Sequence, residues 1–366
     1  MKRLPILYPL LGTIIGSSFF TLPFIFKDQA LILSISLFLL ISLLSTYSNY
    51  IYSKIILNTH GKHQLPGYTE IYLGHNFKPI ASLIILLGGL GSNLAYIIII
   101  SSFFKILFPT LLISDTVFAI FFVLIFGTIT YSGSMFRKLE KYFTTLLICL
   151  LAFISIYLIF NSNTLTTLIN LTNINVHMDK ILLLLGIALA SNTGFSILPE
   201  LKQTLKNSDL KKTIALNSFA PVILYFLFII GVISSSNIVS ENSLSGLVAP
   251  ELIILITVII GILAITTSYE SISVVSIETL KNDFHFPHFF SFLLVVLFPL
   301  IFFLSGIKQL VLVTAVVGGL FTALSHIIVQ LIYRKTFNHS KLLEFFEAIL
   351  IYMVISEIIF ILYSLF

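Results

Sequence analysis

The sequence predicts an all-α membrane protein of about eleven spans, the first and sixth of them discontinuous. Three observations predict it. Of the 366 residues, 58% are hydrophobic and only 10% charged, and the mean hydropathy is +1.09. Apolar runs able to cross a bilayer recur about eleven times. Two of those runs carry small and polar residues and a proline at their centres.

The net charge is +5, but the basic residues lie in short loops between apolar runs. That pattern orients a chain in a lipid bilayer and does not mark a nucleic-acid partner. The single Cys149 sits within an apolar run and excludes an internal disulfide. Lys2 and Arg3 ahead of apolar residues imitate a signal peptide. No small-residue cleavage site follows, so the segment is expected to be retained. No hydrolase triad, P-loop, dinucleotide fingerprint or paired-carboxylate motif is present, so the chain does not read as an enzyme.

In order, segment 1 is expected from about Pro5 to Phe26 and segment 2 from Ala30 to Leu57. A polar stretch follows, Asn58 to Phe77, with a short interfacial helix over Tyr68 to Leu73. Segments 3, 4 and 5 cover Lys78–Phe108, Val117–Tyr131 and Tyr142–Phe160. An Asn- and Thr-rich loop, Asn161 to Asn175, leads to segment 6, Ile181–Leu201. Segments 7, 8 and 9 are Ile214–Ile233, Leu252–Ile277 and Phe289–Leu304. Segments 10 and 11 are Gln309–Tyr333 and Phe345–Phe366. No linker divides the chain, so residues 1–366 read as one membrane domain. Alternate loops hold roughly sixteen of the 20 basic residues, leaving Lys27, Lys105, Lys180 and Lys308 on the other side. The N-terminus is therefore expected in the cytoplasm of a cell-membrane protein and the C-terminus outside.

The first interruption is Gly12-Thr13-Ile14-Ile15-Gly16-Ser17-Ser18-Phe19-Phe20-Thr21-Leu22-Pro23. Each glycine costs a helix about 1 kcal/mol against alanine, and proline removes a donor. Irregular backbone at bilayer depth is tolerated only where protein buries it or a cavity adjoins it. Segment 6 repeats the anomaly in Ala190-Ser191-Asn192-Thr193-Gly194-Phe195-Ser196-Ile197-Leu198-Pro199. The two motifs lie five segments apart, an odd number, so the second enters the membrane from the opposite face. Broken helices at matching positions of inverted halves point to a transport site at the midplane. The alternative is that Gly and Pro here only let helices pack closely.

The run "GTIIGSSFFTLP" resembles the opening motif of bacterial permeases of the amino acid/auxin permease family, aromatic amino acid permeases among them. "NTGFSILPEL" is similar to their sixth helix, "LGSNLAYI" to their third, and "VVGG" in segment 10 to their tenth. The resemblance implies the five-plus-five inverted repeat of LeuT-type transporters in the APC superfamily. Residues 5–160 would form the first repeat, 181–333 the second, and 345–366 an added eleventh span. It further implies secondary active transport of an amino acid by alternating access, with no organic cofactor.

An amino acid brings a carboxylate and an ammonium. Where segment 1 restarts, the first N–H groups lack internal partners and form the positive end of a dipole. Gly16, Ser17 and Ser18 are therefore expected to bind the carboxylate, with Gly12 and Ile14 beside them. The carbonyls of Ala190, Ser191 and Asn192 are expected to take the ammonium. Phe195, Asn93 and Tyr96 are expected to line the side-chain pocket, which hints at a hydrophobic or aromatic amino acid. Asn93 equally suits an interhelical hydrogen bond, and Tyr96 packing.

Sodium-coupled LeuT-type transporters carry an Ala-x-x-Thr-Ser run in the eighth span, matched by Ala264, Thr267 and Ser268. The resemblance implies a Na+ site there, completed by the carbonyls of Gly12 and Ile15. Uncharged oxygen ligands suit a monovalent cation that must leave again. The alternative is that these hydroxyls bond the preceding turn. Proton-coupled relatives place a lysine midway along segment 5, whereas this chain has only Lys141 at its start, which favours Na+ over H+. A charge in the bilayer centre costs about 3 kcal/mol or more, so Glu270, Glu357 and His326 need a reason. Glu270 is the gating or proton-coupling candidate, Glu357 a contact to a neighbouring helix or protomer, and His326 a satisfied packing residue. The loop residues His60, His63 and His75 lack metal-type spacing. An amino-acid-sensing subunit like those of spore germinant receptors is the alternative from a different class.

Overall fold

In lipid no water is present to satisfy main-chain amides, so apolar runs close their hydrogen bonds internally, as helices. A computed structural model describes residues 6–27, 29–61, 63–110, 114–132, 135–162, 176–192, 194–337 and 341–365. Most of the Asn- and Thr-rich loop, Thr193 in the second interruption, and the expected outer ends at Pro5 and Phe366 lie outside these. Among the described residues regular structure is helical, apart from one isolated bridge between Ser236 and Leu247.

Segment 1 is two helices, α1 (Tyr8–Ile14) and α2 (Ser17–Phe26), bent by 43°. Helix α3 (Leu31–Asn58) follows. The interfacial helix is longer than expected: α4 runs Leu65–Leu73, opened by Pro66 in its first turn and stopped by Gly74 at φ +113°. Next come α5 (Lys78–Leu107), α6 (Asp115–Ser132) and α7 (Met135–Phe160). Segment 6 divides into α8 (Met178–Ser191), a 3-10 stretch Phe195–Leu201 and α9 (Lys202–Lys206). Helices α10 (Leu210–Ser235), α11 (Glu251–Asp283) and α12 (His288–Leu304) continue the chain. Segment 10 is α13 (Leu310–Val316), a π-helical turn over Val317–Thr322, and α14 (Ala323–Thr336). Helix α15 (Lys341–Leu365) ends it.

Among the described residues seven helices, with α8–α9 and α13–α14 each taken as one, are long and apolar enough to cross a membrane, and the bent α1–α2 pair makes an eighth. The shorter apolar helices α6 and α12, together with α15, bring the segments to those the sequence predicts. The first span is the centre of the molecule. From Leu10 to Pro23 its residues are buried, while α12 turns Phe289, Phe290 and Ile301 outward to where lipid belongs.

Aromatic rings fix α2 in place. Phe19 stands 4.3 Å from Phe228 and 5.0 Å from Tyr225 of α10, and Phe20 stands 5.1 Å from Phe103 of α5. Edge and tilted contacts of this kind add to the burial itself. The link between α10 and α11 closes over the far end of α2. There Lys27 Nζ donates to the Val239 carbonyl at 2.8 Å, and the Ser243 hydroxyl donates to the Phe20 carbonyl. Helix α8 meets the π-turn backbone to backbone: a Cβ on Gly318 would collide with the Gly186 carbonyl. Small residues permit such an approach between membrane helices.

Candidate functional site

Helix α1 stops because the chain turns extended at Gly16, whose φ is −118° and ψ −152°. The Gly16 amide bonds back to the Ile14 carbonyl at 2.9 Å, and Phe19 bonds to the Gly16 carbonyl at 3.2 Å. Ser17 and Ser18 therefore open α2 with their amides beyond the reach of the helix's own carbonyls. Gly16 is also where a neighbour comes closest. A Cβ there would lie 3.1 Å from the Tyr96 hydroxyl and 3.2 Å from Ser268 Oγ.

Helix α8 ends at Ser191, and Asn192 folds back on it. Its Nδ2 donates to the Ala188 carbonyl at 2.8 Å, as does Ser191 Oγ at 2.9 Å. The two interruptions meet at Tyr225 of α10. Its hydroxyl lies 2.6 Å from the Ser191 carbonyl and 2.9 Å from the Ile14 carbonyl. One hydroxyl carries one proton, so the two carbonyls share it and retain acceptor capacity.

A cavity of about 750 Å³, counting the open solvent at its mouth, lies against both interruptions. Of the residues expected to bind substrate, Gly16, Ser17, Ser18, Tyr96, Ala190 and Phe195 line it. The others stand outside the lining. Gly12 sits behind the first break, where a Cβ would meet Thr144 Oγ1 at 3.3 Å. Ile14 and Ser191 present their carbonyls to Tyr225, and Asn192 is engaged with Ala188. Asn93 faces α11 and donates to Ser273 Oγ at 2.9 Å, the interhelical bond that was its alternative.

The oxygens of the expected Na+ site converge. Ser268 Oγ lies 2.8 Å from the Gly12 carbonyl and 3.1 Å from the Ile15 carbonyl. One residue back, Thr267 Oγ1 donates to the Ala264 carbonyl at 2.8 Å. Beside them the buried Thr144 Oγ1 of α7 has no hydrogen-bond partner among the described residues. An orphaned hydroxyl next to three carbonyls and two further hydroxyls is a donor set that fits a monovalent cation. Glu270 is buried two residues beyond Ser268 and does not line the cavity.

The other intramembrane polar residues differ in fate. Glu357 packs its carboxylate against Gly319 of the π-turn, a contact to a neighbouring helix. His326 is not the satisfied residue expected. Its ring stands 4.9 Å from Phe195, edge to face, and neither nitrogen has a hydrogen-bond partner among the described residues. Buried on α14, the ring has an aromatic contact in place of a polar one. His75 bonds Glu70 at 2.7 Å, and Lys78 lies 2.8 Å from the same carboxylate. Hydrogen bonds from Lys78 and then His75 hold the Glu70 carboxyl below the usual range.

Sequence reasoning missed Tyr225, Thr144 and the wall of the cavity formed by Gly88, Gly89, Ser92 and the π-turn. A tyrosine midway along an apolar span is a signal in itself, because its hydroxyl requires a partner there.

No protein-family model matches the chain, and no curated protein sequence is similar to it. Solved structures are. MhsT, in complex with L-phenylalanine, superposes with a TM-score of 0.68 over 99% of this chain and 98% of its own, at 14% identity. Two variants of the Eremococcus coleocola manganese transporter superpose with a TM-score of 0.61 over 98% of this chain and 85% of theirs, also at 14% identity. The fold is of the LeuT type. At this identity the likeness concerns the fold, and the resemblance to amino acid/auxin permeases rests on the motifs alone. Within a LeuT-type fold the interruptions of the first and sixth spans lie where the sequence expects them.

Proposed function

We propose that the chain is a secondary transporter that moves an amino acid across the cell membrane by alternating access, coupled to Na+. One observation carries the reading: both helix interruptions open onto a single cavity lined by neutral residues. The start of α2 offers main-chain donors to a carboxylate, and the end of α8 offers carbonyls to an ammonium. A zwitterion needs both. The MhsT neighbour holds an amino acid, L-phenylalanine, while the other neighbours are manganese transporters. Divalent manganese is suited by carboxylate among other oxygen ligands, and the described cavity lining holds no carboxylate. That favours the organic cargo.

For the ion, the convergence of Gly12, Ile15, Ala264, Thr267 and Ser268 oxygens favours Na+. Proton coupling is the second reading, favoured by Glu270, a buried carboxyl two residues beyond Ser268. The bias of basic residues between alternate loops supports a cytoplasmic N-terminus and a C-terminus outside. Uptake of labelled amino acids into proteoliposomes tests the reading. Accumulation driven by a Na+ gradient is expected, and accumulation of none under either a Na+ or an H+ gradient would reject transport.

A further inference from the structure

Resting on that reading, we propose that the cargo carries a large apolar side chain, selected by Phe321 of the π-turn standing against Gly88 of α5. Beyond the two interruptions the cavity continues between α5 and the π-turn. The side chains of the π-turn land on the α5 glycines. A Cβ on Gly88 would lie 3.2 Å from Phe321 Cβ, and one on Gly91 2.6 Å from Val317 Cγ2. The width of the slot is therefore set where α5 has no side chains and the π-turn supplies the wall. Single π-turns within α-helices occur frequently at functional sites.

The chemistry of the slot excludes other side chains. Its lining holds no ionisable acid or base apart from the Tyr96 phenol, so a charged side chain would lose its water and find no counter-ion. Four of its hydroxyls have committed their protons. Ser92 donates to the Gly88 carbonyl at 2.9 Å, Ser276 to Ile272 at 3.0 Å, Thr314 to Leu310 at 2.8 Å and Ser325 to Phe321 at 2.9 Å. An amide or carboxylate seeking donors finds these four spent. The apolar part of the lining includes Ile84, Ile85, Ile272 and Val275 together with the two phenylalanines, Phe195 and Phe321. A bulky apolar side chain fills that space and gives up no hydrogen bond on entry.

The experiment measures half-saturating concentrations for labelled phenylalanine and labelled alanine in proteoliposomes, for the unaltered chain and for Gly88→Ala and Phe321→Leu. Gly88→Ala puts a methyl into the slot and should raise the value for phenylalanine about tenfold, with alanine changing less than about twofold. Phe321→Leu should shift the phenylalanine-to-alanine ratio as well. Labelled lysine and glutamate should not accumulate. Equal changes for alanine and phenylalanine in both variants would overturn the proposal, and so would lysine or glutamate reaching the level of phenylalanine. If the unaltered chain accumulates no amino acid, the transporter reading falls and takes this with it. If it accumulates them and the ratio stays fixed, only the selectivity proposal falls. Thermal unfolding separates a folding defect from a change of selectivity, and where one variant fails to fold the other decides.

Discussion

At Gly16 the absence of a side chain does two things. It lets Tyr96 and Ser268 close on the first interruption, and it leaves the α2 amides open to the cavity. Gly16→Leu is expected to abolish amino acid binding, measured as loss of the ligand-induced thermal shift. Tyr225 ties Ile14 to Ser191, so Tyr225→Phe leaves two buried carbonyls without their shared donor. That should cost about 1–3 kcal/mol of stability and weaken binding, read from denaturation and titration of the same preparation. Thr267→Ala removes one ligand hydroxyl from the ion cluster and none from the cavity lining. It should lower Na+ dependence while phenylalanine still binds, and unchanged Na+ dependence of uptake would remove Thr267 from the ion site.

Among the elements, the two interrupted spans were legible because glycine, serine and proline in an apolar run have few other uses. The π-turn was not. Val317-Gly318-Gly319-Leu320-Phe321-Thr322 reads as close-packed α-helix. Its shifted hydrogen bonding goes with what it touches: the Gly186 carbonyl on one side and the Glu357 carboxylate on the other. Those neighbours are remote in sequence. Gly318→Ala pushes a methyl into the Gly186 carbonyl and should destabilise the protein by about 1–3 kcal/mol, seen as a lower midpoint of thermal unfolding. An unaltered midpoint would mean that α8 and the π-turn separate easily. The helix bounds show the same division. Helix α11 runs on to Asp283, beyond the expected end at Ile277, because its polar last turns pack beside α5.

For the whole molecule, orientation is the open structural consequence of the loop charges. Cys149 is the sole cysteine, so Cys149→Ser provides a background in which an added thiol reports its own side. In that background Lys206→Cys should react with a membrane-impermeant reagent from the cytoplasmic side and Lys308→Cys from the outside. The reverse pattern would invert the proposed topology.

The sequence by itself determined the solvent, the class and the two weak points. A chain this apolar must satisfy its amides within helices, and breaks in apolar runs are costly enough to stand out. It also marked Gly16, Ser17, Ser18 and Phe195 beside those breaks. Only the tertiary structure decided which polar groups meet: Asn93 with Ser273, Tyr225 with both interruptions, Phe321 across from Gly88. Helix spacing fixes which residues share a face, but the rotation of each helix is set by how all its neighbours pack. Contacts between residues more than a hundred positions apart therefore appear only once the bundle is assembled.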